Sequence, residues 1–352
     1  MGAFEEALTR VEPVDDASAS QARARQDTLT KPAGSLGRLE AVGIQLAAIY
    51  RRCPPPVPQP ASVAVFAGDH GVLAHGVSPW PAEVTAQMVA NFLAGGAAVS
   101  VLARHAGARV VVVDVGVAAD LPDSEGLLRA KVRPGTADLA KGPAMSRGEV
   151  AEALDVGAGV ALDLVDVGSR CCLAGDMGIG NTTAAAALVA AFTGRPAREV
   201  TGRGTGIDDD RLARKIGVVE TALARTGDSE DALGVLASLG GLEIAAITGY
   251  IVGASACRVP IVLDGVISVA AALAAARLAP DCVGYMVAGH RSSEPGASAA
   301  IEELGLAPLI DLEMRLGEGT GACLALPVLQ AAAKVLGEMA TFEDAGVTSE
   351  HE

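Results

Sequence analysis

The run SVAVFAGDH at residues 62–70 is the clearest indication of the fold of this chain. Its apolar and β-branched residues continue without a break until Gly68, Asp69 and His70. A continuous apolar run of this length that ends in a small polar cluster is typical of a strand buried on both faces of a parallel sheet. The residues that follow the strand are then predicted to lie at the edge of the sheet where ligands bind.

Three further runs have the same form and are separated by long segments rich in Ala and Leu. They are RVVVVDVGV at 109–117, VPIVLDGV at 259–266 and VGYMVAGH at 283–290. Strand and helix in alternation predict an α/β fold, a parallel sheet flanked by helices. The four polar clusters at the strand ends would then share one cleft, although for any single cluster Gly and Asp that only form a turn remain the alternative.

Both ends of the chain are predicted to be helical. Residues 1–52 end in an apolar stripe, and the proline-rich sequence CPPPVPQP at 53–60 is typical of a stiff connector that marks a domain boundary. From about residue 321, ACLALPVLQAAAKVLGEM predicts a buried helix with Pro327 near its first turn or at a kink, followed by a frayed acidic tail. The N-terminal helices are expected to form a small appendage or lid on the α/β body.

The charge of the chain excludes two classes of partner. It carries 42 acidic and 27 basic residues, a net charge of −15, which is the wrong sign for a surface that binds duplex nucleic acid or an anionic membrane. An anionic small substrate would need a local concentration of basic side chains. The apolar segment 84–103 is interrupted by Gln87, Asn91 and a Gly-Gly pair, so we interpret it as buried helix rather than as a membrane span.

The cysteine pattern predicts a reducing compartment. Six cysteines are scattered along the chain without a CxxC pair, which favours reduced, mostly structural thiols in a cytoplasmic protein. The N-terminal sequence MGAFEEALTR carries acids where a signal peptide needs a basic region. His70, His75 and His290 show no HExxH spacing and no neighbouring cysteine group, so no metal site is predicted.

Two glycine clusters precede predicted helices. GDMGIGNTT at 175–183 offers free backbone N–H groups to an anion, although a polar triplet that only caps the helix remains an equal alternative. VTGRGTGIDDD at 200–210 leads into a second helix. Arg203 and Lys215 bring positive charge to this cluster, and for Lys215 a solvated position on the helix surface remains open.

Two further residues are candidates for chemistry. Glu318 lies between glycines in GEGTG at 317–321, where a carboxylate is exposed to whatever occupies the cleft, with a turn or capping role as the alternative. Trp80 is the only tryptophan in the chain and precedes a helix that is predicted to begin near Pro81. An aromatic ring at that position could form the wall of a flat ring-binding pocket.

Eight segments of the chain closely resemble the nicotinate-nucleotide-dimethylbenzimidazole phosphoribosyltransferase family of cobalamin biosynthesis. The resemblance runs from about Asp27 to about Ala333 and keeps the order of the family, which makes a chance match very improbable. The segments are KPAGSLGRLE, VFAGDHGV, VSPWPAEVTAQMVANFLAGGAAV, GDMGIGNTTAAAAL, VTGRGTGIDDD, VPIVLDGVIS, GHRSSEPGA and MRLGEGTGACLALPVLQAA.

The resemblance implies an architecture and a reaction. The architecture is a large Rossmann-like domain with a parallel sheet, a small helical domain built from both chain ends, and a homodimer whose sites lie near the interface. The expected parts are residues 1–52, residues 61–310, and residues 311–352 with the catalytic loop, the helix that completes the small domain and the acidic tail. The reaction converts nicotinate mononucleotide and 5,6-dimethylbenzimidazole into α-ribazole 5′-phosphate and nicotinate, and no cofactor is expected.

The resemblance also assigns roles to residues. It implies that Glu318 is the catalytic base and that Trp80, Gln87 and Leu316 border the benzimidazole. Many relatives carry Glu where Asp176 stands and Tyr where Trp80 stands, which leaves the preferred base open. The residues in segments that line the ribose phosphate site are Gly175, Asp176, Gly178, Gly204, Lys215, Asp264, Gly265, Ser292 and Ser293.

Two other functions compete with this interpretation. A non-catalytic nucleotide- or base-binding sensor would keep the pocket without turnover, but the intact GEGTG segment argues against it. A Rossmann-type oxidoreductase would need GxGxxG after a strand and an acidic residue about 20 positions later, and no predicted strand of this chain is followed by that pattern.

Overall fold

The computed structural model of the chain describes residues 2–227 and 231–348. Within these residues, parallel strands form a six-stranded sheet in the order β3-β2-β1-β4-β5-β6. The α/β fold with a parallel sheet flanked by helices, predicted from the sequence, is confirmed. The strands are β1 (Ala61–Gly68), β2 (Ala108–Gly116), β3 (Leu127–Arg129), β4 (Cys171–Met177), β5 (Ile261–Leu263) and β6 (Met286–Ala288).

The sequence predicts four of these strands and misses β3 and β4. Strand β4 has the sequence CCLAGDM, which contains no β-branched residue and therefore lacks the usual signal of a strand. Gly175 and Asp176, expected in a glycine loop, are the fifth and sixth residues of this strand. The strands β5 and β6 are only three residues long. In the predicted run 283–290, a 3-10 segment at Pro280–Tyr285 takes the first residues, so β6 begins only at Met286.

Successive strands are added on one side of β1 as far as β3 and then on its other side from β4 onward, so the strand order changes between β1 and β4. This strand is buried along its whole length and pairs with β2 on one side and with β4 on the other. The order is that of a Rossmann-like fold, in which a crevice opens outside the carboxyl ends of the two strands at the reversal. The topology therefore directs a ligand to the residues that follow β1 and β4.

Helices cover both faces of the sheet. On one face α11 and α12 contact the strands and α6 packs against α11, while α4, α5 and α14 cover the other face. The helices are α1 (Ala3–Arg10), α2 (Asp16–Thr28), α3 (Arg38–Tyr50), α4 (Glu83–Leu93), α5 (Ala98–Ala106), α6 (Arg147–Asp166), α7 (Asn181–Thr193), α8 (Ala197–Val200), α9 (Asp209–Thr226), α10 (Ala232–Leu239), α11 (Leu242–Ala256), α12 (Val266–Leu278), α13 (Pro295–Glu303), α14 (Thr320–Glu338) and α15 (Phe342–Ala345).

Helices from the two chain ends meet on one side of the molecule. The helices α2, α3 and α14 pack together around a small apolar cluster of Ala22, Leu29, Ala47 and Leu336. The first helix, α1, packs elsewhere, against α6 and α11. The division of the chain into domains at residues 52–61 and 310 stays a prediction.

The C-terminal helix begins at Thr320, close to the expected start at about residue 321, and Pro327 lies inside α14 and not in its first turn. The segment after α14 contains the short helix α15, and a β-bridge joins Thr341 to Leu29. The last four residues of the expected frayed tail, 349–352, lie outside the described residues.

Two segments, Glu83–Ala106 and Thr320–Glu338, are long and apolar enough to cross a membrane by composition alone. The first is not one helix, because residues 94–97 separate α4 from α5. The second is α14, which packs against α3, α5, β4 and β5. Both segments therefore have the contacts of helices that cover a sheet.

Candidate active site

A cleft of about 770 Å³ opens where residues that follow β4, β5 and β6 come together with the turn that precedes α14. Its lining combines apolar side chains with five kinds of polar group: carboxyls, hydroxyls, an amide, a guanidinium and glycine backbone. The lining residues are Trp80, Val84, Met88, Asp176, Met177, Gly178, Ile179, Asn181, Thr182, Gly204, Thr205, Gly265, Val266, Ile267, Ser292, Glu294, Glu313, Arg315, Leu316, Gly317 and Glu318.

Glu318 is held in an uncommon backbone conformation. Its φ is +66°, and the flanking Gly317 and Gly319 have φ values of +86° and +98°, so three successive residues lie on the left-handed side. For a residue other than glycine this region costs about 1–3 kcal/mol and persists only where the surroundings enforce it. The Glu318 side chain is buried, and its Oε2 accepts the N–H of Val99 at 3.4 Å from the first turn of α5.

The turn that carries Glu318 lies directly on strand β4. A Cβ atom on Gly175 would lie 2.4 Å from the carbonyl oxygen of Glu318, and one on Gly319 would lie 3.3 Å from the Cα of Gly175. Position 175 therefore needs glycine to let the turn approach the sheet. This close contact explains why residue 175, which the resemblance associates with the ribose phosphate, is a glycine.

Two carboxyls of the cleft are shifted toward their neutral form. Burial raises the pKa of Glu318, and the charge of Asp264 adds to this effect, while the N–H of Val99 opposes it. Burial raises the pKa of Asp176 well above its usual range, and the charges of Asp264 and Glu243 add to it. A carboxylate with a raised pKa is a stronger proton acceptor at neutral pH than an exposed one.

Asp176 stands at the end of β4 with one of its oxygens unpartnered. Its Oδ2 accepts a hydrogen bond from Asn181 Nδ2 at 3.0 Å, at the start of α7. Its Oδ1 is buried and has no hydrogen-bond partner among the residues that the structure describes. An unpartnered buried oxygen beside the cleft is available to a ligand.

Lys215 lies beside the cleft, in a recess of about 40 Å³ that shares Gly178, Asn181 and Gly204 with it. The amine is buried, not solvated: Nζ donates to Thr182 Oγ1 at 2.8 Å and to the carbonyl of Gly202 at 3.0 Å. Burial lowers the pKa of Lys215 to about 8, against the charge of Glu294.

The recess therefore has the components of an anion site. The side-chain ammonium group of Lys215 donates its two hydrogen bonds to uncharged acceptors, so neither bond neutralises its positive charge. The recess also includes the first two residues of α7, Asn181 and Thr182, at the positive end of that helix. The other basic residue of the glycine cluster, Arg203, instead donates to Ile207 and pairs with Asp209.

Sequence reasoning missed Glu294 and Arg315, although both line the cleft. The Oε1 of Glu294 accepts the N–H of Gly204 at 2.7 Å, and Arg315 Nη1 donates to the carbonyl of the same residue at 2.6 Å. A Cβ on Gly202 would lie 2.1 Å from Glu294 Oε2. The glycine cluster thus wraps around a carboxylate that arrives from the start of α13. The signal that could have found Glu294 is its position directly after the polar end of the 283–290 run.

The structure brings most, but not all, of the candidate residues to the cleft. Those in the lining are Trp80, Asp176, Gly178, Gly204, Gly265, Ser292, Leu316 and Glu318. Gln87 is exposed on α4 and is not part of the lining. Ser293 is exposed, and its hydroxyl donates to the carbonyl of Glu313 at 2.7 Å. Asp264 is buried and turns its carboxylate toward the backbone of α14.

An apolar wall faces the carboxyls. Trp80 and Leu316 line the cleft while 51% and 58% exposed, and Val84, Met88 and Ile179 continue the apolar lining. An exposed aromatic ring at the mouth of a cleft offers a surface on which a planar ring can stack.

A second cavity, of about 640 Å³, lies near the start of α6 and next to α10. Its arginines are already paired, Arg133 with Glu149 and Arg147 with Asp231. None of the candidate residues lies in its lining. This cavity therefore adds nothing to the site.

His70 and His75 each have a carboxylate neighbour. His70 Nε2 lies 2.7 Å from Glu243 Oε1, and His75 Nε2 lies 2.8 Å from Asp138 Oδ2. Among residues 2–227 and 231–348, no group of three or more His, Cys, Asp or Glu side chains is arranged to hold a metal ion.

Comparison with known proteins gives one consistent family. A family model described as Phosphoribosyltransferase matches residues 11–347. The chain is 57% identical over 353 residues to the nicotinate-nucleotide-dimethylbenzimidazole phosphoribosyltransferase of Chloroflexus aggregans, with all of both chains covered. It is 55% identical to the protein of the same name from a Roseiflexus species, again with all of both chains covered.

A solved structure agrees with these relatives. The crystal structure of CobT from Thermus thermophilus superposes with a TM-score of 0.91 at 50% sequence identity. The match covers 94% of this chain and 99% of the other. The similarity therefore extends over the sheet, the cleft and the turn before α14.

Proposed function

This chain belongs to the nicotinate-nucleotide-dimethylbenzimidazole phosphoribosyltransferase family, and on that premise we propose that it transfers the phosphoribosyl group of nicotinate mononucleotide to 5,6-dimethylbenzimidazole. The products are α-ribazole 5′-phosphate and nicotinate, and the first supplies the lower ligand of cobalamin. The observation that carries the proposal is Glu318, a buried carboxyl with a raised pKa that lines the cleft in a left-handed conformation.

One base is enough for this reaction. Nicotinate leaves C1′ as a pyridinium that becomes neutral, so its departure needs no proton donor. As one nitrogen of the benzimidazole attacks C1′, the N–H on the other ring nitrogen becomes acidic, and Glu318 accepts that proton. General base catalysis of this kind typically contributes about 10²–10⁴ in rate. The carboxylate also stabilises the positive charge that develops on the ribosyl centre.

The stereochemistry follows from the direction of attack. The benzimidazole nitrogen approaches the face of C1′ opposite to the departing nicotinate, which inverts the configuration. A β-nucleotide therefore gives an α-product. Trp80 and Leu316 are proposed to border the ring of the base, because both line the cleft as exposed apolar side chains. Gln87 is a weaker candidate for that role, since it lies outside the lining.

The nucleotide phosphate is assigned to the recess beside the cleft. Lys215 supplies the cation there, and Gly178 and Gly204 leave their backbone accessible. Gly265 and Ser292 line the adjoining part of the cleft. The raised pKa of Asp176 favours its neutral form, which reduces repulsion between this carboxyl and an anionic substrate in the same cleft.

The assembly and the compartment are proposals as well. We propose a homodimer because the family resemblance implies one, and because Leu312 and Leu316, four positions apart in the chain, expose 60% and 58% of their surface. We propose a cytoplasmic location because all six cysteines are free. Neither the charge of the chain nor its cleft favours a nucleic-acid or membrane partner.

The test is a two-substrate reaction with the purified chain. Nicotinate mononucleotide and 5,6-dimethylbenzimidazole are mixed with the protein, and nicotinate and α-ribazole 5′-phosphate are followed by chromatography. Equal formation of both products supports the transferase. Nicotinate without α-ribazole 5′-phosphate indicates a hydrolase, and binding of both substrates without any product indicates a sensor.

A further inference from the structure

Asp264 makes an unusual set of contacts for a residue outside the cleft. It follows strand β5 and is 1% exposed. Its Oδ2 accepts the N–H of Gly319 at 3.1 Å, and its Oδ1 accepts those of Gly321 at 2.7 Å and Ala322 at 3.1 Å. The first N–H groups of a helix have no partner inside the helix, so Asp264 supplies the acceptors for the start of α14.

These bonds connect the turn at Gly317–Gly319, which carries Glu318 and is called the catalytic turn below, to the end of strand β5. Within the turn, Thr320 donates to the carbonyl of Gly317 from its backbone N–H at 3.1 Å and from its hydroxyl at 2.8 Å. Those two bonds close the turn but do not determine where Glu318 lies relative to the cleft. The bonds from Gly319, Gly321 and Ala322 anchor the turn to the side chain of Asp264, directly after β5. A strained residue persists only where its surroundings hold it.

His290 covers Asp264 from the other side. It follows β6 and is 1% exposed, and its Nδ1 lies 3.7 Å from Asp264 Oδ1, too far for a hydrogen bond. A Cβ on Gly321 would lie 1.9 Å from that same Nδ1. The ring therefore packs directly on the first turn of α14, and glycine at 321 leaves the room for it.

We propose that Asp264 is a positioning residue for Glu318, with His290 as the group that packs behind it. Asp264 does not line the cleft, so it acts on the reaction through the turn at Gly317–Gly319 and not by contact with the nucleotide. The inference rests on the proposed function, because it assumes that Glu318 is the base of the transfer reaction.

The experiment compares Asp264→Asn, Glu318→Gln and the double variant in the full-length chain. Asparagine keeps the size of the side chain but replaces one acceptor oxygen with a donor, so at least one bond to α14 is lost. The expected result is a loss in kcat of at least about tenfold, with KM for both substrates within about threefold of wild type. The double variant should have the kcat of Glu318→Gln alone, within about twofold, since both changes disable the same group.

A control variant separates positioning from general damage to this region. The Ser268 hydroxyl accepts the backbone N–H of Asp264 at 2.8 Å and donates to the carbonyl of Gly265 at 3.0 Å. Ser268→Ala disturbs the same buried corner but leaves the Asp264 carboxylate in place. Its kcat should stay within about twofold of wild type. If Asp264→Asn does not fold, His290→Leu takes its place, with a smaller loss in kcat, unchanged KM and the same lack of additivity with Glu318→Gln.

Two results would overturn the positioning role. One is a rise in KM for nicotinate mononucleotide at unchanged kcat, which would place Asp264 in the nucleotide site. The other is a double variant whose losses multiply, which would make the two residues independent. Wild-type activity is measured first: absence of both products refutes the proposed function itself, whereas an active wild type and a fully active Asp264→Asn variant refute only this inference.

Discussion

A buried carboxyl and a buried amine lie at the two ends of the site, and burial shifts their pKa values in opposite directions. At the catalytic turn, burial raises the pKa of Glu318; at the recess, burial lowers the pKa of Lys215 to about 8. In both cases the neutral form gains, because a low-dielectric interior penalises charge. The consequences differ: the shift makes Glu318 a better proton acceptor, whereas it leaves Lys215 dependent on a bound anion for its full charge.

The two ends also use glycine for different physical reasons. At the catalytic turn, Gly317 and Gly319 adopt φ values of +86° and +98°, which glycine tolerates without cost from a side chain. At the recess, Gly202 provides space, since a Cβ there would overlap the carboxylate of Glu294. A glycine-rich motif therefore does not reveal by itself whether its glycines allow a left-handed backbone conformation or the close approach of another group.

The largest expected effect is at the catalytic turn. Glu318→Gln should lower kcat by about 10²–10⁴, because the amide cannot accept the proton of the benzimidazole. Folding should change little, since the amide oxygen can still accept the N–H of Val99. Steady-state kinetics and thermal unfolding measure the two quantities. The exposed carboxylate of Asp311 offers a control: Asp311→Asn should keep wild-type turnover. Near-normal turnover of Glu318→Gln would place the base elsewhere.

The second effect belongs to the recess. Lys215→Ala should raise KM for nicotinate mononucleotide by about 10- to 100-fold and leave KM for the base nearly unchanged, because a hydrogen bond to a charged group contributes about 1.5–3 kcal/mol. The matched control is Arg214→Ala, which removes the neighbouring positive charge on the exposed side of α9. An unchanged nucleotide KM for Lys215→Ala would show that the recess does not hold the phosphate.

The pH dependence should separate the two ends. Activity needs Glu318 deprotonated, so kcat/KM should fall as pH drops through its raised pKa, at a higher pH than an ordinary glutamate would give. Nucleotide capture needs Lys215 protonated, and its pKa of about 8 predicts that kcat/KM for the nucleotide falls by roughly tenfold between pH 7 and pH 9. The pH profile of Glu318→Gln should lose the fall at low pH, and that of Lys215→Ala should lose the fall at high pH. A fall that remains in the corresponding variant would be caused by another ionisable group.

The smallest effect is expected at the apolar wall. Trp80→Ala should raise KM for 5,6-dimethylbenzimidazole by about three- to tenfold, since a stacked aromatic pair contributes about 0.5–1.5 kcal/mol and the ring is half exposed. Trp80→Tyr, which keeps an aromatic ring, should stay close to wild type for this base. Kinetics with varied base concentration measure both variants. A change confined to the nucleotide KM would move Trp80 to the other end of the site.

Much of the fold could be predicted because its signals are local. The runs at 62–70 and 109–117 became β1 and β2 almost residue for residue, since a short, continuous apolar run that contains β-branched residues and ends in a polar cluster is typical of a buried strand. Strand β4 escaped prediction because its buried surroundings, and not its own residue types, make it a strand. Tertiary packing overrides propensity at such positions.

The candidate site shows the same difference between local signals and long-range contacts. Glu318 was identifiable because its flanking glycines are neighbours in the chain. Spacing did not single out Glu294 and gave no backbone partner for Asp264, since each accepts hydrogen bonds from a segment far away: Glu294 lies 90 positions from Gly204, and Asp264 lies 55 positions from Gly319. Nothing in a local pattern states which backbone a buried carboxylate will meet.

The sequence was enough to predict the alternation of strands and helices, the family, and Glu318 as a candidate base, because each depends on residues that are neighbours along the chain. The tertiary structure alone decided that Lys215 is buried, that Gly175 makes room for the catalytic turn, and that Asp264 faces α14 instead of the cleft. Burial and long-range hydrogen bonds depend on how segments that are distant in the chain pack against each other. A different packing of the helices on the sheet would change these contacts without changing any local motif.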